Sequence, residues 1–190
     1  MALILTKRLH GMNSTTPNKN NMIRFIFSLT LLFTITFASA QDKINWMTWE
    51  EAIAANKKSP KKIFIDVYTD WCGWCKRMDA TTFEDPAVIK TMNELYYAIK
   101  FDAEQKAEIT LKDKTYKFVP NGRRGYHELA AAILNGKMSY PSSVFLDKSF
   151  NMIQPLAGYQ DGKTLNLILT YLGTDVHKTT SWTDYSAKNK

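Results

Sequence analysis

The sequence predicts an α/β protein with one central mixed β-sheet flanked by helices. Two observations predict it. Helical and strand-like stretches alternate from Trp46 to Asp102 in the order α-β-α-β, the layout of parallel strands with helices on the sheet faces. Further on, Ser143–Asp147 and Met152–Leu156 pair as antiparallel strands around Lys148–Asn151, ahead of an amphipathic segment, Thr164–Leu172.

The elements follow in order. Lys43–Lys58 carries Trp46, Trp49, Ala52 and Ile53 as a helical stripe, with Thr48 as a cap, Glu50 and Glu51 in the first turn, and Pro60 as a stop. Ile63–Tyr68 is apolar and β-branched except for Asp66, as in a buried central strand. Gly73–Ala80 reads as a helix start, and Asp85-Pro86 opens another helix through about Asn93. Tyr96–Asp102 is a second strand. Glu108–Val119 alternates about Lys112-Asp113-Lys114, predicting a hairpin. Asn121–Gly125 reads as a loop and Tyr126–Leu134 as a helix stopped by Gly136. The 176–190 tail is polar apart from Trp182 and Tyr185, and is expected to pack loosely. No internal repeat or low-complexity tract occurs.

Residues 1–40 stand apart. Phe25–Phe37 is an uncharged thirteen-residue run between Arg24 and Ala38-Ser39-Ala40, the parts of a cleavable signal peptide. As a helix the run rises about 20 Å, short of a ~30 Å hydrocarbon core, which weighs against the alternative of a membrane anchor. Met1–Asn21 is polar, and Met22 would make a natural start. The expected result is an exported, periplasmic domain at 41–175 with no stable membrane insertion after cleavage. The chain's net charge is +7; without residues 1–40 it has 21 basic against 18 acidic residues, or +3. Its basic clusters are short and interrupted by acids, which excludes nucleic acid as the expected partner.

The 190 residues contain two cysteines, Cys72 and Cys75. Three uses stand open on the residues alone. A staple closing so short a loop contributes little stability. A zinc site needs two further ligands, and only His127 and His177 remain beyond residue 40, so no metal is expected. A redox pair has a mechanism. At a helix start, backbone N–H groups and the helix dipole favour thiolate on the first cysteine. The second, one turn on, can resolve a mixed disulfide.

Asp66-Val67-Tyr68-Thr69-Asp70-Trp71-Cys72-Gly73-Trp74-Cys75-Lys76 resembles the active-site segment of the thioredoxin superfamily. Ser139-Tyr140-Pro141 through Leu146 resembles the family's cis-proline loop and following strand, and Ala157-Gly158-Tyr159 a third, weaker landmark. The resemblance covers roughly Trp46–Leu172, and is narrowest to exported bacterial thioredoxin-like proteins with a W-C-G-W-C-K motif. It implies a thioredoxin-like fold and a thiol–disulfide oxidoreductase. Cys72 is then the nucleophile, Cys75 the resolving thiol and Asp66 the proton carrier, with Lys100 as its counter-ion. Trp71, Gly73, Trp74, Tyr140 and Pro141 would meet the substrate, Tyr140 through its backbone. No cofactor is implied beyond the Cys72–Cys75 disulfide. The expected partners are client proteins with disulfides or thiols and a membrane-bound electron donor.

Two departures bear on function. Trp74 stands where reducing thioredoxins often have proline, so an oxidase or isomerase competes with a reductase. The stretch of about 105–138 is longer than thioredoxin needs and is expected to be a hairpin-plus-helix insertion before the cis-proline loop. That insertion also supports a rival class, a binding module using it as a partner surface.

Overall fold

A computed structural model describes residues 43–189; the expected signal segment lies outside these residues. The central sheet is built on β2 (Lys62–Tyr68), in which every residue but Tyr68 is buried. It pairs in parallel with β3 (Tyr96–Asp102) and antiparallel with β8 (Ser142–Leu146). A two-residue β1 (Trp46–Met47) extends the β3 edge and β9 (Met152–Ala157) the other, giving the order β1-β3-β2-β8-β9.

Alternation along β2 feeds two cores. Ile63, Ile65 and Val67 pack with Ile99, Phe101 and Val144 under α1 (Trp49–Lys58) and α4 (Glu128–Ile133). Phe64 points the other way, toward α2 (Gly73–Ala80), α3 (Pro86–Leu95) and α5 (Gly162–Gly173). Asp66 shares the Phe64 parity and therefore faces the side carrying α2.

The caps follow from local chemistry. Thr48 and Glu51 form a reciprocal capping box on α1. Asp85 accepts from Ala87 and Val88, with Pro86 in the first turn of α3. Asp161 caps α5 through Thr164 N–H. Because Thr48 is the cap, α1 starts at Trp49, and Trp46 lies in β1 rather than on the helical stripe expected from its spacing.

Between β3 and β8 the chain forms two hairpins and α4. In the first, β4 (Ile109–Leu111) pairs with β5 (Lys114–Tyr116), and Lys112 and Asp113 take φ of 50° and 63°, as a two-residue hairpin turn requires. In the second, β6 (Phe118–Asn121) pairs with β7 (Arg124–His127). This corrects the reading of Asn121–Gly125 as a loop: it holds the turn and both strand ends, with Gly122 at φ 58°. Tyr126 and His127 belong to β7, so α4 starts two residues later than its apolar pattern implies.

His127 ties this region to the sheet. Ala103 N–H donates to Tyr68 C=O, and His127 N–H donates to Ala103 C=O at 2.7 Å. The buried imidazole accepts Leu129 N–H at Nδ1, which caps α4, so Nε2 carries the hydrogen and donates to Ala107 C=O at 3.0 Å. The tail also differs from expectation. A 3-10 turn (Val176–Lys178) and α6 (Trp182–Asn189) rest on α5, where Tyr171 contacts His177, Trp182 and Tyr185. Aromatic contacts substitute for the aliphatic pattern that the tail lacks.

Candidate active site

Cys72 and Cys75 lie at the junction of β2 and α2 and form a disulfide with Cα atoms 5.3 Å apart. Cys72 is the N-cap of α2, and its Sγ accepts Cys75 N–H at 3.0 Å. Its sulfur therefore sits where unpaired N–H groups and the helix dipole favour negative charge. Both residues are buried, Cys72 at 5% exposure and Cys75 at 2%. Gly73 between them is exposed, and a Cβ there would meet nothing within 4 Å.

Pro141 leads into β8, its bond to Tyr140 is cis, and its carbonyl accepts Gly158 N–H at 2.8 Å. Among the described residues, the Tyr140 backbone N–H and C=O have no partner. Burial, then Glu104 and Asp102, push the Tyr140 phenol up to about 12.

Asp66 is 1% exposed and lies opposite Lys100 on β3 and Ser143 on β8. Lys100 Nζ is 2.7 Å from Asp66 Oδ2, within hydrogen-bonding distance, and among the described residues neither cysteine donates to the carboxylate. The ammonium is shared with Asp79 of α2 and lies about 5 Å from the ring centres of Trp46, Tyr68 and Phe83. Burial pushes Asp66 up from 3.8 to about 6, against the opposing pull of Lys100. For Lys100 burial acts downward, and the two carboxylates outweigh it, so its net shift is upward.

The two tryptophans of the motif are exposed, Trp71 at 52% and Trp74 at 58%, and meet different neighbours. The Trp71 indole N–H donates to Glu104 Oε1 at 3.0 Å, Tyr140 packs edge-on, and Arg124 of β7 stacks 4.3 Å above the ring. Trp74 packs 5.4 Å from Tyr159, and Arg77 lies over both rings at 5.6 and 5.9 Å.

The structure thus brings the cysteine pair to one end of the sheet with its two flanking indoles, and sets Trp71 against Tyr140 of the proline loop. It places buried Asp66 against half-buried Lys100 in the strands leading there. Asp79, Arg77, Glu104 and Arg124 carry no role in the sequence reading, whereas Tyr159 belongs to its third landmark. Asp79 and Arg77 had a signal, since they follow Cys75 by four and two residues on the same short helix. Glu104 and Arg124 had none, because they reach Trp71 from outside the motif. Among the described residues no group of three or more His, Cys, Asp and Glu suits a metal ion, and no helix is long and apolar enough to cross a membrane.

Comparison with known proteins places this geometry. The family described as Thioredox_DsbH, "Protein of unknown function, DUF255", matches residues 34–160. An uncharacterized Caenorhabditis elegans protein is 31% identical over 116 residues, 60% of this chain but 14% of its own length. The thiol:disulfide interchange protein DsbD of Pectobacterium atrosepticum is 49% identical over 35 residues, 18% of this chain and 6% of that one. The chain therefore spans only a small part of these curated relatives. A solved structure described as DsbH oxidoreductase superposes with a TM-score of 0.53 at 18% identity, covering 75% of this chain and 92% of that one, a likeness of thioredoxin fold.

Proposed function

This chain belongs to the Thioredox_DsbH family of thioredoxin-fold proteins, and from that premise we propose that it is an exported thiol–disulfide oxidoreductase that reduces disulfides in client proteins. The observation that carries the reading is the Cys72–Cys75 disulfide at the start of α2, with Cys72 as the N-cap, in a fold that also buries a carboxyl, Asp66.

In the dithiol form, thiolate Cys72 attacks one sulfur of a client disulfide. A Cys72–client disulfide forms, and the other client sulfur leaves as a thiolate. Asp66, as carboxylate, then accepts the Cys75 proton. Cys75 thiolate attacks Cys72 Sγ, releasing the second client thiolate and closing the Cys72–Cys75 disulfide. Two electrons pass to the client, and both its thiolates take up protons. With a pKa near 6, Asp66 is largely ionised at neutral pH yet basic enough to take a proton. The disulfide is returned to the dithiol by a second dithiol, which we assign to a membrane-bound donor; the likeness to a thiol:disulfide interchange protein supports that class of partner. The Tyr140 backbone, free on both sides, suits pairing with an extended client strand beside Pro141. No cofactor other than the cysteine pair takes part in this scheme. Export and a periplasmic location rest on the signal-like segment at 1–40.

The test is trapping. C75S should accumulate covalent client adducts through Cys72, and C72S/C75S should not. The reading fails if no adduct forms and the purified protein neither reduces nor oxidises any test disulfide.

A further inference from the structure

The tryptophans beside the cysteines differ in how fully they are partnered. Trp71 is held on three sides, by Glu104 at its N–H, Tyr140 at its edge and Arg124 on its face. Its neighbourhood is also acidic: burial pushes the Asp102 carboxyl up, against a hydrogen bond from the Glu104 backbone N–H, and the charges of Asp70 and Glu104 add to the rise. On the other side, Trp74 and Tyr159 carry the guanidinium of Arg77, with exposed Lys76 next to it. No carboxylate of the described residues lies within 4.0 Å of Arg77, and the nearby Asp79 is paired with Lys100. Tyr159 follows Gly158, whose N–H is fixed on Pro141 C=O, so this wall is registered against the proline loop.

Arg77 also acts as a donor toward the Tyr159 hydroxyl, and the guanidinium's remaining N–H groups can meet a planar carboxylate. An exposed cation without an internal anion, resting on two rings at the mouth of a site, is complementary to an anionic side chain on whatever docks there. We propose that Trp74, Arg77 and Tyr159 form a carboxylate subsite that reads an Asp or Glu of the client close to the cysteine attacked by Cys72. The occupant is an extended acidic segment of a partner protein. This rests on the oxidoreductase reading for its client and adds the side chain the client must carry.

The test uses disulfide-linked peptides that differ only in having Glu, Gln or Lys next to the cysteine. Their reduction by the pre-reduced protein is followed in the wild type, R77E and R124E. The wild type should favour Glu over Lys by about fivefold at low salt, with the ratio shrinking at high salt. R77E should reverse the order, while R124E should keep it. Taking the ratio for each variant cancels any change in thiol reactivity. Equal rates in the wild type, a Glu preference that survives R77E, or one abolished by R124E instead, would overturn the subsite. A second arm titrates C72S/C75S with the same peptides carrying alanine for cysteine, and the same order of affinity is expected. If no peptide disulfide reacts, the oxidoreductase reading fails, while this binding order still decides the subsite; binding indifferent to charge overturns it.

Discussion

Two buried titratable side chains, one in the sheet and one in the insertion, are treated in opposite ways. His127 has both ring nitrogens occupied, by Leu129 N–H and Ala107 C=O, and its surroundings hold it neutral. Asp66 is equally buried, and among the described residues its partner is Lys100, whose ammonium it shares with Asp79. Burying an ionised carboxyl costs stability unless it is paired or takes up a proton. His127, satisfied at both ring nitrogens, clamps the segment between β3 and β8 beside the site; Asp66 is the group to which the proposed mechanism gives proton transfer.

The largest expected effect separates these roles. D66N should slow resolution of the mixed disulfide about 100-fold at pH 7, the lower range for loss of a general base, and remove the step in the pH–rate profile near 6. Single-turnover release of a labelled client measures this. H127A should leave the position of that step unchanged. It should instead lower stability by about 2–3 kcal/mol in denaturant titration, because it leaves a buried N–H and C=O unpaired.

A smaller effect runs through linkage. Folding raises Asp66 from 3.8 to about 6, so the folded state holds its proton more tightly. That contribution is complete below about pH 4 and is lost as pH rises through 6. D66N should therefore gain roughly 2–3 kcal/mol over the wild type between pH 4 and pH 8, at about 1.4 kcal/mol per pKa unit. For His127 the sign is opposite. Burial lowers its pKa, so its contribution is present above the usual histidine value and is lost as pH falls through the lowered one. The smallest expected effect is then local: amide exchange in Phe118–His127 should lose protection in acid before β2 and β3 do, and H127A should erase that difference.

How much was legible in the sequence follows the same divide. The helix start at Gly73 and the bounds of Tyr96–Asp102 match expectation, because each is a strong local pattern. The Asp66–Lys100 pair came with the family resemblance, and the parallel register of β2 and β3 sets the two residues opposite each other. The insertion was read less well. Pro120 and Gly125 disguise two strands as a loop, although Pro120 sits in a two-stranded hairpin and tolerates its missing N–H. Arg124 and Glu104 reach Trp71 across the fold, and no local period records such contacts. Trp46 kept a helical spacing by coincidence, while Thr48 decided where the helix begins.

The most direct test of the central claim is the reduction potential of the Cys72–Cys75 couple, measured by equilibration against dithiol buffers. The account predicts reversible exchange with a potential near thioredoxin's, about −270 mV. A value near about −120 mV, that of a strong oxidant, or a disulfide that does not exchange at all, would contradict it.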